Sequence, residues 1–264
     1  MRILNFLFSR SKQEQDKPIR DKLKTRKDFE RVLAEDLDIM ETTKARMDTA
    51  KNINLYMYRS LSYSYILILQ SKYSVDAKID ELRDIYIKSM YYFLQAFNKR
   101  NPIYADILNY VSLGVLLNIP DTYFRQLIDY VKQMDKQAKP SGWTPDLLLW
   151  FMLNSRMKEQ EKQKYAETLA YPRLYNGLYK VIQAPNAAAA KDALSKYLDR
   201  WYNLNSNAPW YNSHLKDNSY RGYWAWEVAA VAKIMHIDDS DLKNYQYYPY
   251  DMVHWADNET TAKE

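Results

Sequence analysis

The sequence predicts an all-α fold, a helical bundle of two packed parts with about ten helices. Three observations carry that expectation. Apolar residues recur at spacings of three and four, and strictly alternating runs are scarce. Glycine occurs only at positions 114, 142, 177 and 222, too few for the positive-φ turns of repeated tight hairpins. Helix start and stop signals punctuate the chain at short intervals.

Taken in chain order, the start MRILNFLFSR is read as a short packing segment within residues 1–19. Its apolar run is too short to span a bilayer, and it lacks the longer apolar core of a signal peptide. An interfacial anchor helped by Arg2, Arg10 and Lys12 is the alternative. The basic run KPIRDKLKTRK at 17–27 has the heptad-like spacing of a solvated helix face. Ile79, Leu82, Tyr86, Met90, Phe93 and Phe97 line one side of a helix, and Asn101-Pro102 ends it. Leu113, Leu116 and Leu117 continue the pattern in the next helix. Pro120-Asp121 opens another, with Tyr123, Leu127, Ile128 and Val131 as its buried stripe.

QAKPSGWTP at 137–145 is the clearest seam, and it separates an N-terminal helical domain at 20–138 from a C-terminal one at 143–255. Beyond it, Thr144-Pro145 sets a capping hydroxyl before a first-turn proline. Asn186 caps AAAAKDALSKYLDRWY, whose alanines favour helix, and Ser219 is the expected cap of the run containing GYWAWEVAAVAKIM. In QYYPYDMVHW at 246–255, Pro249 starts a short helix, Asp251 and His254 fix it, and Val253 and Trp255 pack inward. The tail at 256–264 is expected to be disordered.

Composition narrows the function. The chain has 264 residues, 47% of them hydrophobic and 27% charged, which suits a folded core without staples. It has no cysteine, so disulfides, thiolate metal sites and cysteine nucleophiles are excluded. Gly-rich phosphate loops are excluded by the glycine count. No run is apolar enough for a membrane span, and a cytoplasmic location is the expectation. The net charge of +5 is uneven, with a basic start and an acidic final third.

Chemistry has few candidates. The three histidines, His214, His236 and His254, are far apart in sequence, and no zinc motif is present. Asp251 and His254 stand at i and i+3, so a helix brings them together for structure or for proton transfer. Glu227, flanked by Trp224 and Trp226, is either a carboxylate with a raised pKa or a buried acid satisfied from another helix. An enzyme using Glu227, Asp251 and His254 is therefore one alternative. A nucleic-acid or membrane-surface module built on the basic N-terminus is another. No metal or cofactor is expected.

The final third offers a binding surface. Trp210, Tyr211, Tyr247, Tyr248 and Tyr250 lie among Asp238, Asp239 and Asp241. Aromatic anchors ringed by carboxylates suit a basic protein partner; equally, the rings fill a core and the acids cap helices.

Two runs resemble a known family. RDKLKTRKDFERVLAEDLD at 20–38 is similar to the opening of the N-terminal domain of PoNi-type immunity proteins. GYWAWEVAAVAKIMHIDDSDLKNYQYYPYDMVHW at 222–255 resembles the end of their C-terminal domain, carried by Tyr223, Trp226, Glu227, Ile237, Asp238, Asp239, Leu242, Tyr247, Tyr248, Pro249, Asp251, Val253 and His254. The resemblance implies a cytoplasmic antidote that binds and neutralises a PoNe-type DNase toxin delivered to competitors by a secretion system. It implies no catalysis and no direct contact with nucleic acid. Trp210, Tyr211, Asp238, Asp239, Asp241, Tyr247, Tyr248 and Tyr250 are the expected partner contacts, with Trp226, Glu227, Pro249, Asp251 and His254 as a structural motif.

Overall fold

A computed structural model describes residues 18–97, 103–136, 143–216 and 219–255. The expectations for the first seventeen residues, for Asn101-Pro102, for the centre of the seam at 137–142 and for the tail lie outside the described residues. Among those described there is no strand, and ten α-helices are joined by short loops and 3-10 turns. They are α1 (Arg26–Thr49), α2 (Leu55–Val75), α3 (Ile79–Phe97), α4 (Tyr104–Leu116), α5 (Asp121–Lys136), α6 (Leu147–Asn154), α7 (Pro172–Ile182), α8 (Ala187–Leu204), α9 (Trp226–Met235) and α10 (Tyr250–His254). The chain divides into two compact units. Unit 1 is 1–99 with 212–223, and unit 2 is 100–211 with 224–264.

In unit 1, α1 begins at a capping box. The Thr25 hydroxyl accepts the Asp28 N–H, and the Asp28 carboxylate accepts the Thr25 N–H at 3.0 Å. The hydroxyl of Thr25 holds the Asp28 carboxyl below its ordinary range. Phe29, Val32, Leu33 and Met40 make the buried side of α1. α2 is capped by Asn54, whose side chain accepts the Met57 N–H. α3 buries the predicted Ile79, Leu82, Tyr86, Met90 and Phe93. The basic run before α1 is not a helix. Arg20 donates to the Tyr73 and Ala77 carbonyls at 3.0 Å, and Arg26 meets Asp76 at 3.1 Å. Both cations thus hold the C-terminal end of α2, where free carbonyls attract positive charge.

The second piece of unit 1 explains why Ser219 caps nothing. Residues 219–225 have no regular secondary structure, and the helix starts only at Trp226. The carbonyls of this strap are already taken. Ser74 Oγ donates to the Arg221 carbonyl and Gln70 Nε2 to that of Gly222, each at 2.7 Å. Gly222 has φ 105°, a conformation that costs a side-chain-bearing residue dearly. Tyr220 packs its ring on Phe29 and donates its hydroxyl to Asp21 at 2.5 Å. Arg221 forks onto the Asp36 carboxylate, Nε to Oδ2 at 2.7 Å and Nη2 to Oδ1 at 2.8 Å. Asp36 is 2% exposed and Arg221 8%. Burial pushes the Asp36 carboxyl up and the guanidinium pulls it back.

In unit 2 the buried Asp146 and the half-buried Asp135 each tie several segments together. Asp146, not Thr144, is the N-cap of α6. It accepts the Leu149 N–H at 2.8 Å, the Tyr104 hydroxyl at 2.7 Å and the Ala170 N–H at 2.7 Å. Asp135, near the end of α5, accepts Trp143 Nε1 at 2.9 Å, Trp150 Nε1 at 2.7 Å and the Tyr165 hydroxyl at 2.8 Å. Trp143 lies within the predicted seam and Trp150 and Tyr165 lie beyond it, so α5 is tied to the chain that follows it. Phe124 turns inward on α5 and Tyr123 is exposed, one position from the expected stripe. Asn176-Gly177 lies inside α7, where a Cβ on Gly177 would stand 2.5 Å from Tyr197 Cδ2. Glycine there lets α7 and α8 approach closely. α8 is capped by Asn186 as predicted. α9, with Val228, Ala229, Ala230, Val231 and Ala232 all buried, packs on α4, α7 and α10.

The strap yields a stability prediction. Removing one partner of a buried ion pair leaves the other charged and dry, at a cost of about 3–5 kcal/mol, whereas two apolar replacements are often neutral. Arg221→Ala should therefore destabilise unit 1 by that amount in urea unfolding. Asp36→Leu with Arg221→Met should recover most of the loss.

Candidate partner-binding site

The predicted contacts separate into two clusters in unit 2 and a buried remainder. The aromatic cluster forms where the loop after α8 folds back. Trp210 stacks on Trp201 at 5.5 Å between ring centres, and Tyr211 stacks on Tyr202 at 4.5 Å. Tyr247 stacks on Tyr202 at 5.2 Å and lies 5.6 Å from Trp201. The adjacent Trp210 and Tyr211 and the distant Tyr247 thus meet around Tyr202, and all four are half-buried.

The acidic cluster gathers on the other end of α8. Lys191 meets Asp238 at 3.1 Å and Asp241 at 2.8 Å. Both aspartate side chains are well exposed, at 72% and 73%. The hydroxyl and N–H of Ser240, together with Lys191, hold the Asp238 carboxyl down at about 2. The sequence reading missed Lys191 and Tyr202. They stand eleven residues apart on α8, three turns, so they share a face about 16 Å apart. A helical projection of α8 would have shown it.

Asp239 and Tyr248 turn inside, at 2% exposure each. The Tyr248 hydroxyl donates to Asp239 Oδ2 at 2.6 Å, and His254 Nε2 meets Asp239 Oδ1 at 2.7 Å. Neither Asp239 nor Tyr248 offers its polar atoms to a partner in this conformation, because each is spent on the other. The carboxylate at His254 Nε2 belongs to Asp239, fifteen residues away, which helical spacing does not suggest. Tyr250 packs its half-buried ring on the His254 ring at 4.5 Å. Pro249 precedes the short α10, as read from the sequence, with Val253 buried. Trp255 Nε1 donates to the Leu116 carbonyl at 2.7 Å, and Lys233 Nζ to that of Val253 at 2.6 Å. The segment 246–255 therefore clasps the ends of α4 and α9.

Glu227 sits beneath the aromatic cluster on α9. Its Oε1 accepts Trp201 Nε1 at 2.6 Å, so its partner is a tryptophan rather than an arginine or tyrosine. Trp226, beside it, is also buried. Burial pushes the Glu227 carboxyl up to about 7, against the pull of the Trp201 donor. Glu227 and His254 are thus engaged with different partners, Trp201 and Asp239. Among the described residues no group of three or more His, Asp or Glu is placed to hold a metal. No described helix is long and apolar enough to cross a membrane.

A carboxyl raised from 4.5 to about 7 by folding favours the native state below pH 4.5 and loses that contribution as pH rises through 7. The span corresponds to about 3 kcal/mol. Glu227→Gln keeps an acceptor for Trp201 and removes the ionisation. The variant should match wild type near pH 5 and exceed it in chemical-denaturation stability at pH 8.

The chain resembles known proteins at two levels. A model of the C-terminal domain of PoNe immunity proteins (PoNi) matches residues 144–252, and a model of their N-terminal domain matches residues 11–129. The crystal structure of protein PA2201 from Pseudomonas aeruginosa superposes with a TM-score of 0.71 at 18% identity. The superposition covers 97% of this chain and 95% of that one, and it shows a shared fold. No curated protein matches the chain. With both domain models matched in order over most of its length, the chain belongs to the PoNe immunity protein family.

Proposed function

We propose that this protein neutralises a PoNe-type DNase toxin by binding its nuclease domain in the cytoplasm of the producing cell, with no bond made or broken. The match of both family models in order carries the reading. A nuclease that grips DNA is basic around its site, so an acidic, aromatic face competes for it and speeds association. Asp238 and Asp241 supply the acid, and Trp210, Tyr211, Tyr247 and Tyr250 the half-buried rings. Asp239, Tyr248 and His254 hold the loop that presents them. The partner is a toxin used in competition between bacteria and delivered by a secretion system. Two of the basic residues once available for a nucleic-acid surface, Arg20 and Arg26, are engaged at the end of α2.

Two variants test this reading. Asp238→Lys with Asp241→Lys should leave the circular-dichroism melt close to wild type, since exposed ion pairs add little to stability. It should weaken toxin binding about tenfold or more, chiefly through slower association and a weaker salt dependence. Unchanged neutralisation by the folded variant would remove the acidic face from the account. His254→Ala breaks the Asp239 contact and should lower stability by about 1 kcal/mol or more while the folded protein still neutralises toxin. A well-folded His254→Ala protein that no longer protects would instead point to chemistry at the imidazole.

A further inference from the structure

Three exposed large side chains of unit 1 lie on a face that no predicted contact uses. Ile39 on α1 is 51% exposed, and Tyr56 and Tyr63 on α2 are 76% and 63% exposed. Tyr56 and Tyr63 stand at i and i+7 and so share one side of α2. A groove of about 310 Å³ runs between the helices, lined on α1 by Asp38, Ile39, Thr42, Thr43 and Arg46. Tyr56 and Met57 form much of its other wall. An apolar patch of this kind, rimmed by charge, marks an interaction surface.

The order of residues along α1 says what fits there. Asp38 and Arg46 are eight residues apart, about 12 Å along the helix, and too far for an ion pair with each other. Among the described residues neither side chain is in any ion pair. Thr42 lies midway between them. When two copies of this face meet about a two-fold axis at Thr42, each residue pairs with its mirror position along the helix. Asp38 then meets Arg46 of the second copy, and Arg46 meets its Asp38. Two-fold interfaces require this self-complementarity, since the same patch serves both sides. A face with unrelated charges would set like against like.

We propose that the α1–α2 face of unit 1 is a homodimer interface, with α1 of two copies antiparallel across an axis at Thr42. Asp38 and Arg46 fix the register, Ile39 fills the groove, and Tyr56 widens the contact. The dimer is independent of toxin binding, which the proposed function assigns to unit 2.

The test is sedimentation equilibrium of the full chain over a concentration series. Wild type should dimerise reversibly. Asp38→Arg and Arg46→Asp should each weaken the dimer about tenfold or more, because each places like charges opposite one another. The double variant, with the charges exchanged, should restore it. The protein has no cysteine, which allows a second measurement. Thr42→Cys places the thiol opposite its own copy, so mild oxidation should give a disulfide-linked dimer. Tyr91→Cys, exposed on α3, should form no disulfide-linked dimer under the same oxidation. A wild-type chain that is monomeric at its highest soluble concentration would overturn the proposal. So would a double variant that fails to recover, or equal cross-linking from both cysteines. Loss of toxin neutralisation in Ile39→Asp, with wild type monomeric, would give this face to the toxin and overturn the dimer.

Discussion

A carboxylate that is 2% exposed has no water to stabilise its charge, so Asp36 depends on the forked guanidinium of Arg221, 185 residues away in sequence. That dependence sets how the chain is organised. The first three helices form a cluster whose interior holds a charge, and the cluster is complete only when the strap at 219–223 returns to it. The carbonyls of Arg221 and Gly222 are bonded by Ser74 and Gln70, so the strap cannot be helical and α9 must begin beyond it. One buried ion pair thus carries through to the start of the helix that holds Glu227.

Unit 2 repeats the same device with neutral donors. Asp135, Asp146 and Asp239 each gather donors from more than one segment, and tryptophan or tyrosine supplies most of the side-chain donors. This is a physical use for the 25 tyrosines of the chain. A tyrosine fills core volume and still delivers a hydrogen bond to a carboxylate without carrying a charge. The result is a rigid frame that leaves Asp238 and Asp241 outside while Asp239, between them in sequence, is locked inside. Such a frame keeps the exposed groups in place and, under the proposed function, lowers the ordering cost of binding.

Much of the fold was legible because local periodicity reflects burial directly. The stripe from Ile79 to Phe93 and the cap at Asn186 needed only neighbours three or four residues away. The misjudged points depend on contacts that spacing does not encode. Thr144 looked like a cap, but Asp146 serves because its carboxylate also meets Tyr104 and Ala170. Ser219 looked like a helix start, but the strap belongs to a distant helix pair. At the candidate site the sequence named Trp210, Tyr211 and Tyr247 but not Tyr202, the ring between them. It grouped Asp239 with its exposed neighbours because consecutive acids look alike until the chain turns one inward.

Under the proposed function, protection comes from stoichiometric occupation of the nuclease. The direct measurement is a titration of the cognate nuclease domain with the intact protein, following DNA cleavage and the masses of both proteins. Cleavage should fall linearly to an end point at equimolar protein, with both masses unchanged and activity returning when high salt separates the pair. Complete inhibition at a small fraction of one equivalent, growing with time or leaving the toxin covalently altered, would contradict it.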